Sequence, residues 1–242
     1  MTPKSRSVSG ALLMLIIIPI FAGLLACMPV PIGNPERARV DPDMSGAWLV
    51  SLDSDVNFYL LRPYDKRTWL IMGVAPEEGE EAEFELDINT SDDMIEALRK
   101  HPISEAGLMP MPNIATYKAW LTKLGGEVFM TWEEAGGMNV DGTYLPDTWM
   151  VYKVVKQSRD HFDLYMVNPD HDVFEDIVLP TDYEGDDYPG DMRRTWERAL
   201  KKHARNKDIY TEDPMVFERV PADLNEQVSE LFGDIIEFDT RD

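Results

Sequence analysis

Few side chains in this chain of 242 residues are grouped so that they could do chemistry. The most mixed polar group is Asn168-Pro169-Asp170-His171-Asp172, with Glu175 and Asp176 close behind. Aspartate and histidine together suit a divalent metal, or a general base held by an orienting carboxylate. Asn-Pro and Asp are also turn formers in their own right. The run follows a strand-like segment, Phe162–Val167, so the expectation is an exposed strand-end turn with no metal and no catalytic role. Thr181–Asp191 carries Asp182, Glu184, Asp186, Asp187 and Asp191. Clustered oxygens suit calcium, but the glycine and the closing glutamate are misplaced for an EF-hand. Acids are favoured just before a helix in any case. Glu77-Glu78-Gly79-Glu80-Glu81 has the character of a solvated hairpin tip. The histidines His101, His161, His171 and His203 are scattered. Only the last two could join an acid cluster, and only through folding.

Motifs with a mechanism are missing. There is no Gly-x-Ser-x-Gly elbow, no His-Glu-x-x-His, no P-loop and no dinucleotide glycine fingerprint after a strand. No catalytic residue, metal ligand or cofactor is therefore assigned. The one cysteine, Cys27, closes an unbroken apolar run from Ala11 to Ala26, preceded by Lys4 and Arg6. That run is short for a membrane span, which needs roughly 20 residues, and long enough for a secretory signal.

Leu24-Leu25-Ala26-Cys27 resembles the lipobox of bacterial lipoproteins, with an aliphatic residue three places before the cysteine and a small one just before it. The resemblance implies cleavage after Ala26, a diacylglyceryl thioether on Cys27 and a further acyl chain on the new amine. Met28 in place of aspartate implies the periplasmic face of the outer membrane. Several acyl chains give stable anchoring where one does not.

Charge limits the partners. Removing residues 1–26 removes Lys4 and Arg6 and no acid, leaving 21 basic against 45 acidic side chains, a formal −24. That argues against nucleic acid, which needs a basic footprint. It also argues against docking on anionic headgroups, so the lipid on Cys27 must hold the membrane. With the lone cysteine lipidated, no disulfide can form.

The positioning elements follow from periodicity. Met28–Pro42 has four prolines and a glycine, which suggests a semi-extended tether holding the domain clear of the membrane. Residues 27–43 are thus expected as lipidated cysteine and tether, 44–221 as one globular domain, and 222–242 as a helix and acidic tail. Alternation places strands at Met44–Val50, Val56–Leu61, Thr68–Val74, Phe84–Ile88, Glu127–Glu133, Thr148–Lys156, His161–Val167 and Met215–Val220. Pro63, Asp65 and Lys66 suggest a hairpin turn. Helices are expected at Asp92–His101 after a Ser91 cap and at Ile114–Leu124 after Asn113, with Gly125 as the left-handed terminator. Two more are expected at Met192–Lys207 after Asp191 and at Ala222–Phe232. All six tryptophans fall on apolar faces and are expected in the core. Trp132 and Trp149 should lie buried on neighbouring strands. In an open barrel some of the six could line a pocket for a sugar or lipid.

Gly46-Ala47-Trp48 resembles the first strand of lipocalin-like barrels, which implies a tryptophan plugging the barrel floor beside a closely approached glycine. The mature part also resembles uncharacterised small bacterial envelope proteins. The matching residues are Leu124-Gly125-Gly126-Glu127-Val128-Phe129, Leu145-Pro146, His161–Tyr165, and Trp196 to Asp213-Pro214-Met215-Val216-Phe217. That second resemblance covers residues 113–220 and supplies no activity.

The expectation is an α+β domain: a strongly curved antiparallel sheet or partial barrel of about seven or eight strands with three or four peripheral helices. The function expected is a non-enzymatic envelope lipoprotein that binds a small ligand or a protein partner. A membrane-tethered hydrolase and a structural lipoprotein for envelope assembly are the alternatives.

Overall fold

The computed structural model describes residues 28–52, 55–74, 77–78, 90–100, 108–109, 115–134, 149–177, 190–228 and 232. Cys27, the strand expected at Phe84–Ile88, and Asp182, Glu184, Asp186 and Asp187 lie outside them. So do His101, Leu145-Pro146 and the acidic tail.

Strands β1 (Gly46–Leu52), β2 (Asp55–Pro63) and β3 (Trp69–Val74) form a meander. A short pair, β4 (Glu77–Glu78) and β5 (Leu108–Met109), stands apart, and α1 (Ser91–Lys100) falls between its members in the chain. Then come β6 (Ala115–Leu124), β7 (Glu127–Glu134), β8 (Trp149–Lys156), β9 (His161–Met166), α2 (Gly190–His203) and β10 (Met215–Arg219). Every barrel pairing is antiparallel, in the order β1-β10-β9-β8-β7-β6-β3-β2, and β10 closes on β1 with Trp48 opposite Arg219.

The fold is therefore a closed eight-stranded barrel, not the α+β curved sheet with three or four helices expected from the sequence. One segment accounts for much of the difference. Tyr117, Trp120, Leu121 and Leu124 repeat with helical spacing, yet they belong to strand β6. Tyr117, Ala119 and Leu121 face the barrel interior, while Trp120 is buried on the outer wall. A strand covered on both faces loses its alternation, and the remaining pattern mimics a helix. Gly125 and Gly126, both at positive φ, form the two-residue turn from Leu124 to Glu127, as a Gly-Gly hairpin permits. A side chain at Gly125 would meet the Lys201 carbonyl of α2 at 2.6 Å.

A second correction concerns Met28–Met44. Met28, Val30 and Ile32 are almost wholly buried against the outer wall of β6–β8. The Ile32 carbonyl accepts from Trp120 Nε1 and Thr131 Oγ1, both at 2.8 Å. The Gly33 N–H donates to Glu197 of α2. The segment is thus a strap bolted to the barrel, not a free tether. Its prolines suit an extended chain with few backbone donors. Its alternate apolar residues at 28, 30 and 32 provide the burial.

Three apolar layers result. The barrel interior holds Trp48, Trp69, Trp132, Phe162 and Phe217. The strap and α2 cover one outer wall, burying Trp120, Trp149 and Trp196. Helix α1 with Val220, Leu224, Val228 and Phe232 covers the other, over Leu49, Phe58 and Met72. All six tryptophans are buried, and Trp132 and Trp149 lie on the neighbouring strands β7 and β8. Among the described residues no helix is long and apolar enough to cross a membrane.

Candidate functional site

The two ends of the barrel are built differently. At one end the chain turns at Pro42–Met44 and lays Met44 on the interior core. Trp48 donates its indole N–H to the Met44 carbonyl. Arg219, on the strand beside it, stacks its guanidinium 4.2 Å from the Trp48 ring. The same guanidinium donates to the carbonyls of Ser45, Asp43 and Arg159 and to Asp160 Oδ1 at 2.7 Å. Lys156 adds ion pairs to Asp41 and Asp43. This is the clasped end. Gly46 has a positive φ of 129°, which side chains rarely adopt, and a Cβ there would lie 2.7 Å from Arg219.

The opposite, rim end is where β7 finishes and β8 begins. Here the inward residues are Tyr59, Tyr117, Trp132, Met150, Tyr152, Met166 and Met215, as the pairing registers require. Trp132 forms a floor. Tyr152 lies 4.9 Å from its ring, Tyr117 5.2 Å and Tyr59 6.0 Å. Tyr59, Tyr117, Met150 and Met166 point inward and still keep part of their surface open. They pack against the interior core without being fully covered, so the rim is the less tightly closed mouth of the barrel, called the cup below. Gly73 makes room for the Tyr59 ring, because a Cβ there would sit 2.8 Å from it.

The chemistry of the cup is apolar, with hydroxyls at its edge. Burial, and secondarily the neighbouring Tyr117, pushes the Tyr59 hydroxyl up to about 12. It is therefore a neutral hydrogen-bond donor at ordinary pH. Two thioethers are already oriented: Met130 Sδ accepts from Trp132 Nε1 at 2.8 Å, and Met150 Sδ from Tyr152 at 3.3 Å. Methionine in such a lining adapts to ligands of different shape.

The polar groups singled out in the sequence lie elsewhere. Asn168 accepts from the Asp170 N–H, and His171 Nδ1 accepts from the Val173 N–H, capping a short turn at Asp172–Phe174. Asp170, Asp172, Glu175 and Asp176 are exposed around it. His161 is on the outer wall, 3.0 Å from Asp163, which also accepts from Gln157. His203 is in the last turn of α2. Among the described residues no three His, Cys, Asp or Glu side chains are grouped to hold a metal. A groove of about 700 Å³ on the outer wall lies between Lys153, Tyr165 and residues 207–212. Lys153 in its wall is already paired with Glu127 at 3.2 Å and sits over the Tyr210 ring.

The cup was not found from the sequence as a site. Its members come from β2, β6, β7, β8, β9 and β10, and only strand closure brings them together. The available signal was the inward alternation of Met150 with Tyr152 and of Met130 with Trp132. Compared with protein families, characterised proteins and solved structures, the chain has no significant match.

Proposed function

We propose that this protein is a lipid-anchored envelope protein that binds a small apolar or aromatic molecule in the rim half of its barrel. The observation that carries the reading is the contrast between the two ends. One is filled and clasped by Trp48 and Arg219, while the other keeps inward Tyr59, Tyr117, Met150 and Met166 partly open. Concave, apolar sites with a few hydroxyls are what small ligands use. The anchor at Cys27 rests on its apolar run and lipobox-like ending. Such an anchor would hold the cup in the envelope, on the periplasmic face of the outer membrane.

The test uses N-phenyl-1-naphthylamine, a neutral apolar fluorophore, with energy transfer from tryptophan as the readout. The wild type should bind it and transfer from Trp132. Met150→Arg, which projects a cation into the cup, should weaken binding about tenfold, or ~1.4 kcal/mol. A circular-dichroism melt confirms that the variant folds. Equal affinity in the folded variant would overturn the proposal. Palmitate-analogue labelling of the wild type and of Cys27→Ala tests the anchor separately, and equal labelling would refute it.

A further inference from the structure

The strap fixes where the anchor leaves the barrel. Met28, the residue after Cys27, donates its N–H to the Trp149 carbonyl at 2.7 Å and is buried. Trp149 is the first residue of β8, at the rim end. The described strap therefore enters at the rim, and a lipid on the preceding residue would be tied to it through a single peptide unit, with adjacent Cα atoms about 3.8 Å apart. Residues 28–42, fully extended, would reach roughly 50 Å. Docked as they are, they provide no reach, because the Met28 bridge and the Ile32 and Gly33 hydrogen bonds hold the strap from its first residue.

We infer that the rim end of the barrel faces the bilayer, so that the cup opens onto the lipid surface and takes its apolar ligand from there. This rests on the Cys27 anchor. Electrostatics does not set the orientation. The exposed cations Arg39, Lys66, Arg67 and Arg159 at the clasped end lie among Asp41, Asp43, Asp65 and Asp160, four charges of each sign. The strap brings the rim end down, and does so even on an uncharged membrane.

The experiment reconstitutes the mature lipoprotein into phosphatidylcholine vesicles. Because the Cys27 sulfur is in the lipid thioether, a single added cysteine can be labelled with an environment-sensitive fluorophore. Glu134→Cys reports the rim, at the end of β7, and Arg67→Cys reports the clasped end. Nitroxide-bearing phospholipid is the quencher. The label at 134 should be quenched several-fold more than the label at 67. Inserting about ten Gly/Ser residues between Cys27 and Met28, which span roughly 17 Å as a coil, should remove the difference. Protein that floats with the vesicles and shows equal or reversed quenching overturns the orientation and leaves the anchor standing. Protein that does not float overturns both.

Discussion

Arg219 is the side chain on which closure of the barrel most depends. Arg219→Met keeps the aliphatic stem and deletes the guanidinium. The variant loses hydrogen bonds to the carbonyls of Ser45, Asp43 and Arg159, the pair with Asp160 and the stacking on Trp48. Hydrogen bonds from a charged donor contribute about 1.5–3 kcal/mol each, and a cation over an aromatic face about 0.5–2. These do not add, because one cation makes all of them. Asp160 is two-thirds exposed, so its share is small. The Ser45 and Asp43 carbonyls and the ring remain, in a site where the arginine side chain is only 26% exposed. The loss worked from them is about 3–4 kcal/mol. Arg219→Lys should recover less than half, because an ammonium on a flexible stem cannot serve the carbonyls and the ring together. Urea denaturation followed by tryptophan fluorescence measures both. A loss below about 1 kcal/mol for Arg219→Met, the range of ordinary surface changes, would refute the claim that this residue clasps the barrel.

Two further outcomes are expected. Burial holds the Tyr59 hydroxyl at about 12 in the fold, against an ordinary 10, so stability is complete below pH 10 and falls as pH rises from 10 toward 12. Tyr59→Phe should flatten that decline, and an identical alkaline profile by chemical denaturation would contradict the assignment. His171→Ala removes one capping hydrogen bond to Val173 and should cost about 0.5 kcal/mol. Zinc or calcium should give no rise in Tm that depends on His171, and a metal-dependent rise lost in the variant would restore a metal site.

Alternation made several strands legible from sequence, though not always which face was which. Phe162 and Leu164 on β9 do face the interior, whereas Val56, Phe58 and Leu60 on β2 mark the outer face under α1, with Tyr59 and Leu61 inward. The Asp65 turn was legible too. Its carboxylate accepts from the Arg67 and Thr68 N–H groups, which is the local bonding that makes aspartate a turn former. β6 was hidden because the strap covers its outer face and erases the alternation. The strap itself was hidden because its prolines signal an extended chain without saying what it lies on. The cup was the least legible element. Nothing local to Tyr59 or Met166 indicates that they share an interior, since their adjacency exists only once β10 has met β1.

That last pairing also governs how the chain can be assembled. Every other barrel pairing joins strands consecutive in the meander, except where α1 and the β4–β5 pair intervene between β3 and β6. β1 and β10 come from nearly opposite ends of the domain and pair Trp48 with Arg219. Contacts so distant in sequence form late and slow the reaction, although the added loop entropy grows only as the logarithm of length. A chain emerging from its N-terminus therefore carries an open sheet with free edges on β1 and on its newest strand. Both edges stay exposed to other chains until Met215–Arg219 arrives and seals them in one step. The strand that finishes the barrel is one of its shortest, at five residues, so the protection of the whole sheet from edge-to-edge association waits on its last and smallest piece.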